Sequence, residues 1–331
     1  MAKAAEVSLR AATVADNDAI VSLELRSALV LGDVDDLFDR SPDALACCRI
    51  QDGCRVIVAE MEGRVVGLMA GVVFWPLIQG QRRTLVYIHR ARVDPEFRHH
   101  GVAMALSGAL FSWSAERGAE GPCYAIAPGN ATSLSFVERG GGRWPSDLAL
   151  LNIDVSRATP GTAEPIAEER LPQAVDLINA THAGENFFEP LTVDSLRARL
   201  SRDRAYGLAN LRGVVDGGAL IAVAGLLDKG AYTERIRIDR ASGRETRSRS
   251  AAVIDWGYAP GRRGRFVELL DCLAADARAL GRTTLTICEP RPDSLSPSLP
   301  YGHGTVSLFT PSLKPPATEV IGGLCFDLLN L

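Results

Sequence analysis

The sequence predicts an α/β fold with a mixed sheet, built twice along one chain. Three observations carry this. Strand-like runs and amphipathic helices follow one another on both sides of a small, Pro/Gly-containing segment at 158–164 (ATPGTAE). The order of elements on the two sides is the same. The length, 331 residues, exceeds what a single core usually holds.

In the first half, 8–11 reads as a strand. Asp16 or Asp18 is placed to cap the helix that follows, with Ile20, Leu23 and Leu25 apolar. Strands are expected at 54–60 and 65–74 around a Glu62-Gly63-Arg64 turn, and again at 84–93. The stretch 101–118 has Val102, Leu106, Ala109, Leu110 and Trp113 on one helical face. A short strand at 123–127, a helix at 130–139 and a closing strand at 148–155 complete it.

The second half starts at 166–167, with a helix at 171–179. A hairpin of 208–215 and 219–227 turns at Asp216-Gly217-Gly218. A strand at 252–258, a helix at 265–280 and strands at 284–288 and 324–328 follow. The Arg-rich insertion at 228–249 reads either as a solvated hairpin extension or as a cover over a neighbouring site.

Composition narrows the function. Hydrophobic residues make up 47% and charged residues 23%, as in ordinary globular proteins, and the net charge of −4 argues against a nucleic-acid partner. No apolar run approaches the roughly 18–20 residues of a membrane span, and 1–6 lacks an apolar signal core, so a cytoplasmic protein with no membrane partner is expected. The seven cysteines (47, 48, 54, 123, 272, 288 and 325) are odd in number and show no C-x-x-C spacing. Reduced thiols, with no disulfide framework and no structural zinc, are the expectation. No G-x-G-x-x-G follows the first strand, which disfavours a dinucleotide-binding fold.

The chemistry concentrates in 86–103, VYIHRARVDPEFRHHGVA. A β-branched strand enters a Pro-containing turn that opens directly into an apolar-faced helix. Gly101 and Ala103 let a ligand approach the main chain, and the free N–H groups of the first helical turn suit a diphosphate. Arg98 adds a fixed charge.

Here the chain resembles the GNAT superfamily, whose pyrophosphate loop is R/Q-x-x-G-x-G/A after a strand ending V-x-P or V-D-P. Arg98, Gly101 and Ala103 match the loop, and Val93-Asp94-Pro95 matches the strand end. A second segment, 130–141, is similar to the family's N-x-x-A/S-x-x-L/F-Y-x-x-x-G through Asn130, Ser133, Phe136 and Gly141. The resemblance covers about 7–155. It implies two tandem GNAT-like acyl-CoA N-acyltransferase domains: 1–157 binding acetyl-CoA, 158–164 as linker, and 165–331 as a degenerate copy. The counterpart loop at 256–266 lacks R-x-x-G-x-G/A and carries Arg265 and Phe266 where small residues are needed; 290–300 holds four prolines and cannot form the Asn-headed helix.

The resemblance also implies site roles. Backbone amides of Arg98, His99, His100, Gly101, Val102 and Ala103 would hold the diphosphate, with the two histidines as amide donors and no metal. Asn130, Ser133 and Phe136 belong to the segment flanking the pantetheine arm, and an amide near Arg92 or Val93 would face the oxyanion. The usual general-acid Tyr is Val137 here, which leaves Tyr124, Cys123 and Ser135 as candidate donors. His89 occupies the place of the usual base, and an imidazole near pH ~6.5 suits that task. Glu24 and the acidic run Asp33, Asp35, Asp36 and Asp39 are alternatives, the run forming a wall attractive to a cationic amine. The expected reaction is acetyl transfer to the primary amine of a small or amino-acid-like molecule. A protein amine as acceptor, or a non-catalytic acyl-CoA-binding regulator, are the alternatives. The second half would brace the first, complete its acceptor site or join two copies into a homodimer.

Overall fold

The computed structural model describes residues 7–127, 129–140, 143–289 and 302–310, with the backbone alone at 143–149, 289 and 302–310. The expected last strand at 324–328, the proline-rich 290–300, Cys325 and Gly141 lie outside the described residues.

The first half runs β1 (Ser8–Ala11), α1 (Asn17–Arg26), β2 (Leu29–Leu31), β3 (Val34–Asp39), α2 (Ala46–Ile50), β4 (Cys54–Met61) and β5 (Arg64–Phe74). A small hairpin, β6 (Leu77–Ile78) and β7 (Gln81–Arg82), leads into β8 (Leu85–Val93), α3 (Val102–Ala115), β9 (Pro122–Ile126), α4 (Ala131–Arg139) and β10 (Arg143–Asp154). The second half runs β11 (Glu164–Pro165), α5 (Leu171–Thr181), α6 (Val193–Arg202), β12 (Leu211–Asp216), β13 (Ala219–Leu227), β14 (Glu234–Asp239) and β15 (Glu245–Ser248). It continues with β16 (Ser250–Tyr258), α7 (Arg263–Ala279), β17 (Thr284–Glu289) and β18 (Gly302–Thr310).

Twelve strands form one sheet in the order β1-β4-β5-β8-β9-β18-β10-β17-β16-β13-β12-β11. Read inward from either edge, antiparallel neighbours give way to one parallel pair, β8 with β9 and β16 with β17. At the centre the halves exchange their last strands. β10 pairs antiparallel with β17, and β18 pairs with β9. The expected strand at 148–155 is therefore real but closes the other half's sheet.

The two halves share apolar cores. Phe74, Leu85, Tyr87 and Cys123 pack in one cluster with Phe187, Tyr206, Leu227, Tyr232 and Ile254. On the opposite face of β8, Val86 and Ile88 pack against Val102, Leu106 and Leu110 of α3, the alternation a strand imposes. α3 comes close because β5 has glycine beneath it at 67 and 71. A Cβ on Gly67 would stand 2.7 Å from Val102 Cγ1, and one on Gly71 3.2 Å from a Leu110 methyl.

Two expectations need correction. Cys48 and Cys54 are joined by a disulfide, because the end of α2 and the start of β4 bring their Cα atoms to 5.4 Å. Asp16 donates no side-chain cap to α1; it is taken up instead by the Arg10 guanidinium and by Thr13. The insertion is also more than a solvated extension. β14 adds to β3 of the first half in register, Arg237 opposite Asp36 and Arg235 opposite Phe38, to make a second sheet β15-β14-β3-β2.

Gly67→Val should lift α3 from β5 and lower stability by about 1–3 kcal/mol, the usual cost of overpacking a core. A urea melt checks it; an unchanged midpoint would contradict the close approach.

Candidate active site

The site begins with an interruption in β8. Its ladder with β5 pairs Leu68 with Arg92 and Ala70 with His89, so the register shifts between them, and Arg90 sits at φ 54°. A bulge of this kind leaves an extra residue out of the ladder and twists the strand. Among the described residues, the parallel partner β9 pairs with β8 at Val86 and Tyr87 alone, and the edge of β8 facing β9 has no ladder partner from there to Val93.

The turn after β8 is held by Asp94. Its carboxylate accepts from the Glu96 N–H at 3.2 Å and from Arg26 Nε at 2.7 Å. Burial works to raise this carboxyl, yet the Arg26 contact holds it below its ordinary range. The chain then passes Pro95–Phe97 and the exposed Arg98, His99 and His100. His99 and Gly101 are both left-handed, at φ 65° and 78°. His100 Nδ1 lies 2.9 Å from the Arg98 carbonyl oxygen, which turns its ring back onto the loop.

Gly101 is the N-cap of α3, and a Cβ there would meet nothing within 4 Å. The helix closes its first internal bond from the Ala105 N–H to the Gly101 carbonyl, at 3.0 Å. The amides before Ala105 have no partner inside the helix, and the partial positive charge of its N-terminus adds to theirs. Val102 is buried beneath the turn and Ala103 half-buried.

Across the gap, Asn130 caps α4 by accepting from the Ser133 N–H at 3.1 Å. Phe136 and Val137 pack with Ile126, Leu134 and Tyr124. Val137 is thus a core residue, packed beside Tyr124. Burial pushes the Tyr124 phenol up, so it stays protonated at neutral pH.

The opposite face of β8 is a buried charge network. Glu24, 1% exposed, accepts from Arg40 at 2.6 Å and from Arg90 at 3.1 and 3.0 Å. Burial opposes its ionisation, but Arg40 and Arg90 hold its pKa down to about 2. Arg90 also donates to the Ala44 carbonyl at 2.8 Å. A carboxylate gripped this way is an anchor with no spare basicity. His89 is half-buried, stacks on Tyr87 at 5.4 Å, and has its Nε2 sealed from water with no hydrogen-bond partner. Burial, then the charges of Arg90, Arg40 and Lys229, bring it down to about 3. The expected imidazole near pH ~6.5 is therefore absent, and His89 is neutral at working pH.

Two members of the expected acidic wall, Asp35 and Asp36, are neutralised. Asp36, 1% exposed, is paired with Arg235 at 2.7 Å from β14, and Asp35 with Arg240 at 3.3 Å. Sequence reasoning missed Arg40, Arg90, Arg235 and Arg237 as members of this site. The Arg-rich composition of 228–249 was the available signal, but its target strand was not.

The second half has the same bulge and a different filling. The ladder of β13 with β16 shifts between Val223–Gly257 and Gly225–Ile254, and Asp255 there has φ 48°. Its carboxylate accepts from the Tyr206 hydroxyl at 2.8 Å and from Arg199 at 2.5 Å. Trp256, Tyr258 and Phe266 stack at 5.0–6.3 Å across the junction of β16 and α7. Phe266 is fully buried in that stack, at the place where the first half keeps its open bend.

Residues 20–141 match the model of the acetyltransferase (GNAT) family. The fold agrees. Saccharomyces cerevisiae N-myristoyltransferase with bound myristoyl-CoA superposes with a TM-score of 0.69 at 9% identity, over 92% of this chain and 78% of that one. A GCN5-related N-acetyltransferase from Sphaerobacter thermophilus gives 0.62 at 16% identity, over 92% and 95%. None of the curated proteins matches the chain by sequence. The sequence match to the GNAT family thus spans 20–141, and the likeness to the solved structures is one of fold.

Two outcomes follow from the network. Glu24→Gln should lower stability by about 3–5 kcal/mol, because Arg40 and Arg90 lose their buried counter-charge; a chemical melt reads this, and a loss under about 1 kcal/mol would make the network dispensable. Stability should also fall on acidification in two steps. From pH 6.5 downward the unfolded chain protonates His89 while the native protein, at about 3, does not. From 4.5 downward the same holds for Glu24, at about 2 when folded. His89→Gln should remove the upper step from a plot of Tm against pH and leave the lower one.

Proposed function

We propose that the first half transfers an acetyl group from acetyl-CoA to the primary amine of a small molecule, by direct attack of the neutral amine on the thioester. Two observations support this reading: the pairing of β8 with β9 ends at Tyr87 among the described residues, and the space around Gly101 at the start of α3 is open. A diphosphate suits that space because left-handed Gly101 presents main chain without a Cβ. Acetyl-CoA is the substrate; the amides of Arg98, His99, His100, Gly101, Val102 and Ala103 would receive its diphosphate, and Arg98 adds charge at the rim. The pantetheine arm would lie along the unpaired edge of β8 toward Arg92 and Val93, beside the turn that Asn130 and Ser133 cap and Phe136 backs.

Attack puts negative charge on the thioester oxygen, and main-chain N–H groups freed at the bulge are fixed donors for it. Tyr124 gives its proton to the leaving thiolate, and the proton that the attacking nitrogen sheds as the amide forms passes through water to restore the phenol. His89 is neutral, and its sealed Nε2 offers the amine no base. The amine gives up its first proton to water before binding, since neither His89 nor Glu24 has the basicity to take it. The second half, 165–331, is read as a second GNAT-like unit that has lost its cofactor site to the Trp256–Phe266 stack. It now completes the acceptor wall through β14. Reduced cytoplasmic surroundings are not required by this reading.

Gly101→Glu should abolish acetyl-CoA binding by calorimetry while leaving the circular-dichroism spectrum unchanged, since the new carboxylate meets only open space and the incoming diphosphate. Full affinity in that variant would remove the loop assignment. Release of CoA across a panel of small amines and of peptides ending in lysine tests the rest. Turnover on peptides alone would make a protein amine the acceptor; tight binding without any turnover would make the chain a sensor.

A further inference from the structure

Arg92 is a buried cation whose environment contains no anion left for it. The residue is 9% exposed. Its one hydrogen bond among the described residues runs from Nη1 to the Ala91 carbonyl, at 2.9 Å. No described carboxylate lies within ion-pair distance, although two are near enough to act on it electrostatically, Glu24 and Asp36. Both are spent: Glu24 on Arg90 and Arg40, and Asp36 on Arg235. The guanidinium is instead stacked toward Phe38, at 5.8 Å from the ring centroid. Arg40 and Arg235 approach the same ring at 5.1 and 5.9 Å. Arg237 stands 3.8 Å from Asp36. Around Phe38, then, Arg40, Arg90, Arg92, Arg235 and Arg237 face two carboxylates, and the surplus is positive.

Burial has pulled Arg92 down to about 10, a measure of how poorly its charge is solvated. A desolvated charge without a partner is costly, and proteins keep one where a ligand supplies the partner. The diphosphate of acetyl-CoA is not that ligand, because the loop at Gly101 leads into α3, which packs on the other face of β8. The Arg92 side chain belongs with α1 and β3, on the acceptor side. One flank of this site comes from β14, so both halves of the chain build it.

We propose that the amine acceptor carries a carboxylate, and that Arg92, backed by Phe38 and flanked by Arg40 and Arg237, binds it. This rests on the acceptor reading above. It reverses the charge expected for the acceptor from the sequence, because Asp35 and Asp36 of β3 are consumed by Arg240 and Arg235 and a bare cation would meet the guanidiniums around Phe38. A guanidinium binds a carboxylate through two parallel N–H donors, and Arg92 has its fork uncommitted apart from Nη1.

The test is a thermal-shift series on the full chain with free amino acids, the corresponding carboxamides, inorganic phosphate and acetyl-CoA as probes. At least one free amino acid should raise the Tm, and its carboxamide should not. In Arg92→Met the shift from that amino acid should vanish, its Kd rising at least about tenfold for the loss of a charge-assisted pair. The same variant without ligand should melt higher than the wild type, since an unpaired buried charge is gone. The acetyl-CoA shift should stay. The proposal is overturned by a lower Tm in unliganded Arg92→Met, which would make Arg92 a brace. It is overturned equally by carboxamides shifting as strongly as acids, by no free amino acid shifting the wild type, or by phosphate being the sole anion whose shift Arg92→Met removes. If amino acids shift the wild type and acetyl-CoA does not, the acetyl-transfer reading falls and the anion site stands.

Discussion

The carboxylate of Glu24 is the contact on which the packing of α1 and β3 against β8 depends. It is shut away from water and kept charged by two guanidiniums from different elements, Arg40 beyond β3 and Arg90 within β8. Arg90 occupies a left-handed backbone position that a residue with a Cβ takes at some cost. The pairing with Glu24 and the bond to the Ala44 carbonyl offset that cost and hold the bulge open. The bulge sets where β8 turns away from β9. One buried ion therefore joins the helix α1 to the shape of that strand.

Much of the first half was legible because its signals are local. The alternation from Val86 to Ile88, the V-D-P turn and the small residues at 101 and 103 each specify the chain within a few residues of themselves. The observed β8, α3 and α4 fall within three residues of the expected bounds at each end. The hairpin at 219–227 was equally plain from its Asp-Gly-Gly turn. What escaped was long-range. Nothing near Asp36 announces that its partner is Arg235, because the pairing depends on β14 adding to β3 across the two halves. The titration of His89 escaped for the same reason: Arg40 and Lys229 lower it from distant parts of the chain. The disulfide between Cys48 and Cys54 was hidden by an odd count that mixes bridged and free thiols.

The two halves show how one framework serves unequal ends. Both keep the bulge, both place a buried charge on it, and both seat an oppositely charged partner beneath, Arg90 with Glu24 and Asp255 with Arg199. Only the first leaves a bend of small residues before its helix. In the second, residues 259–262 replace the longer 94–101, and aromatic rings close the junction. The scaffold persists where stability requires it, and the ligand-facing loop does not.

The exchange of central strands has a bearing on synthesis. The edge of β9 has its neighbour supplied by 302–310, so a nascent chain that has emerged only as far as residue 160 carries that edge bare. Its own last strand, β10, waits in turn for 284–289. Because translation delivers residues at tens per second or fewer, the exposed edge persists for many seconds, long enough for chaperones or stray strands to find it. Neither half is finished before the ribosome has nearly completed the other.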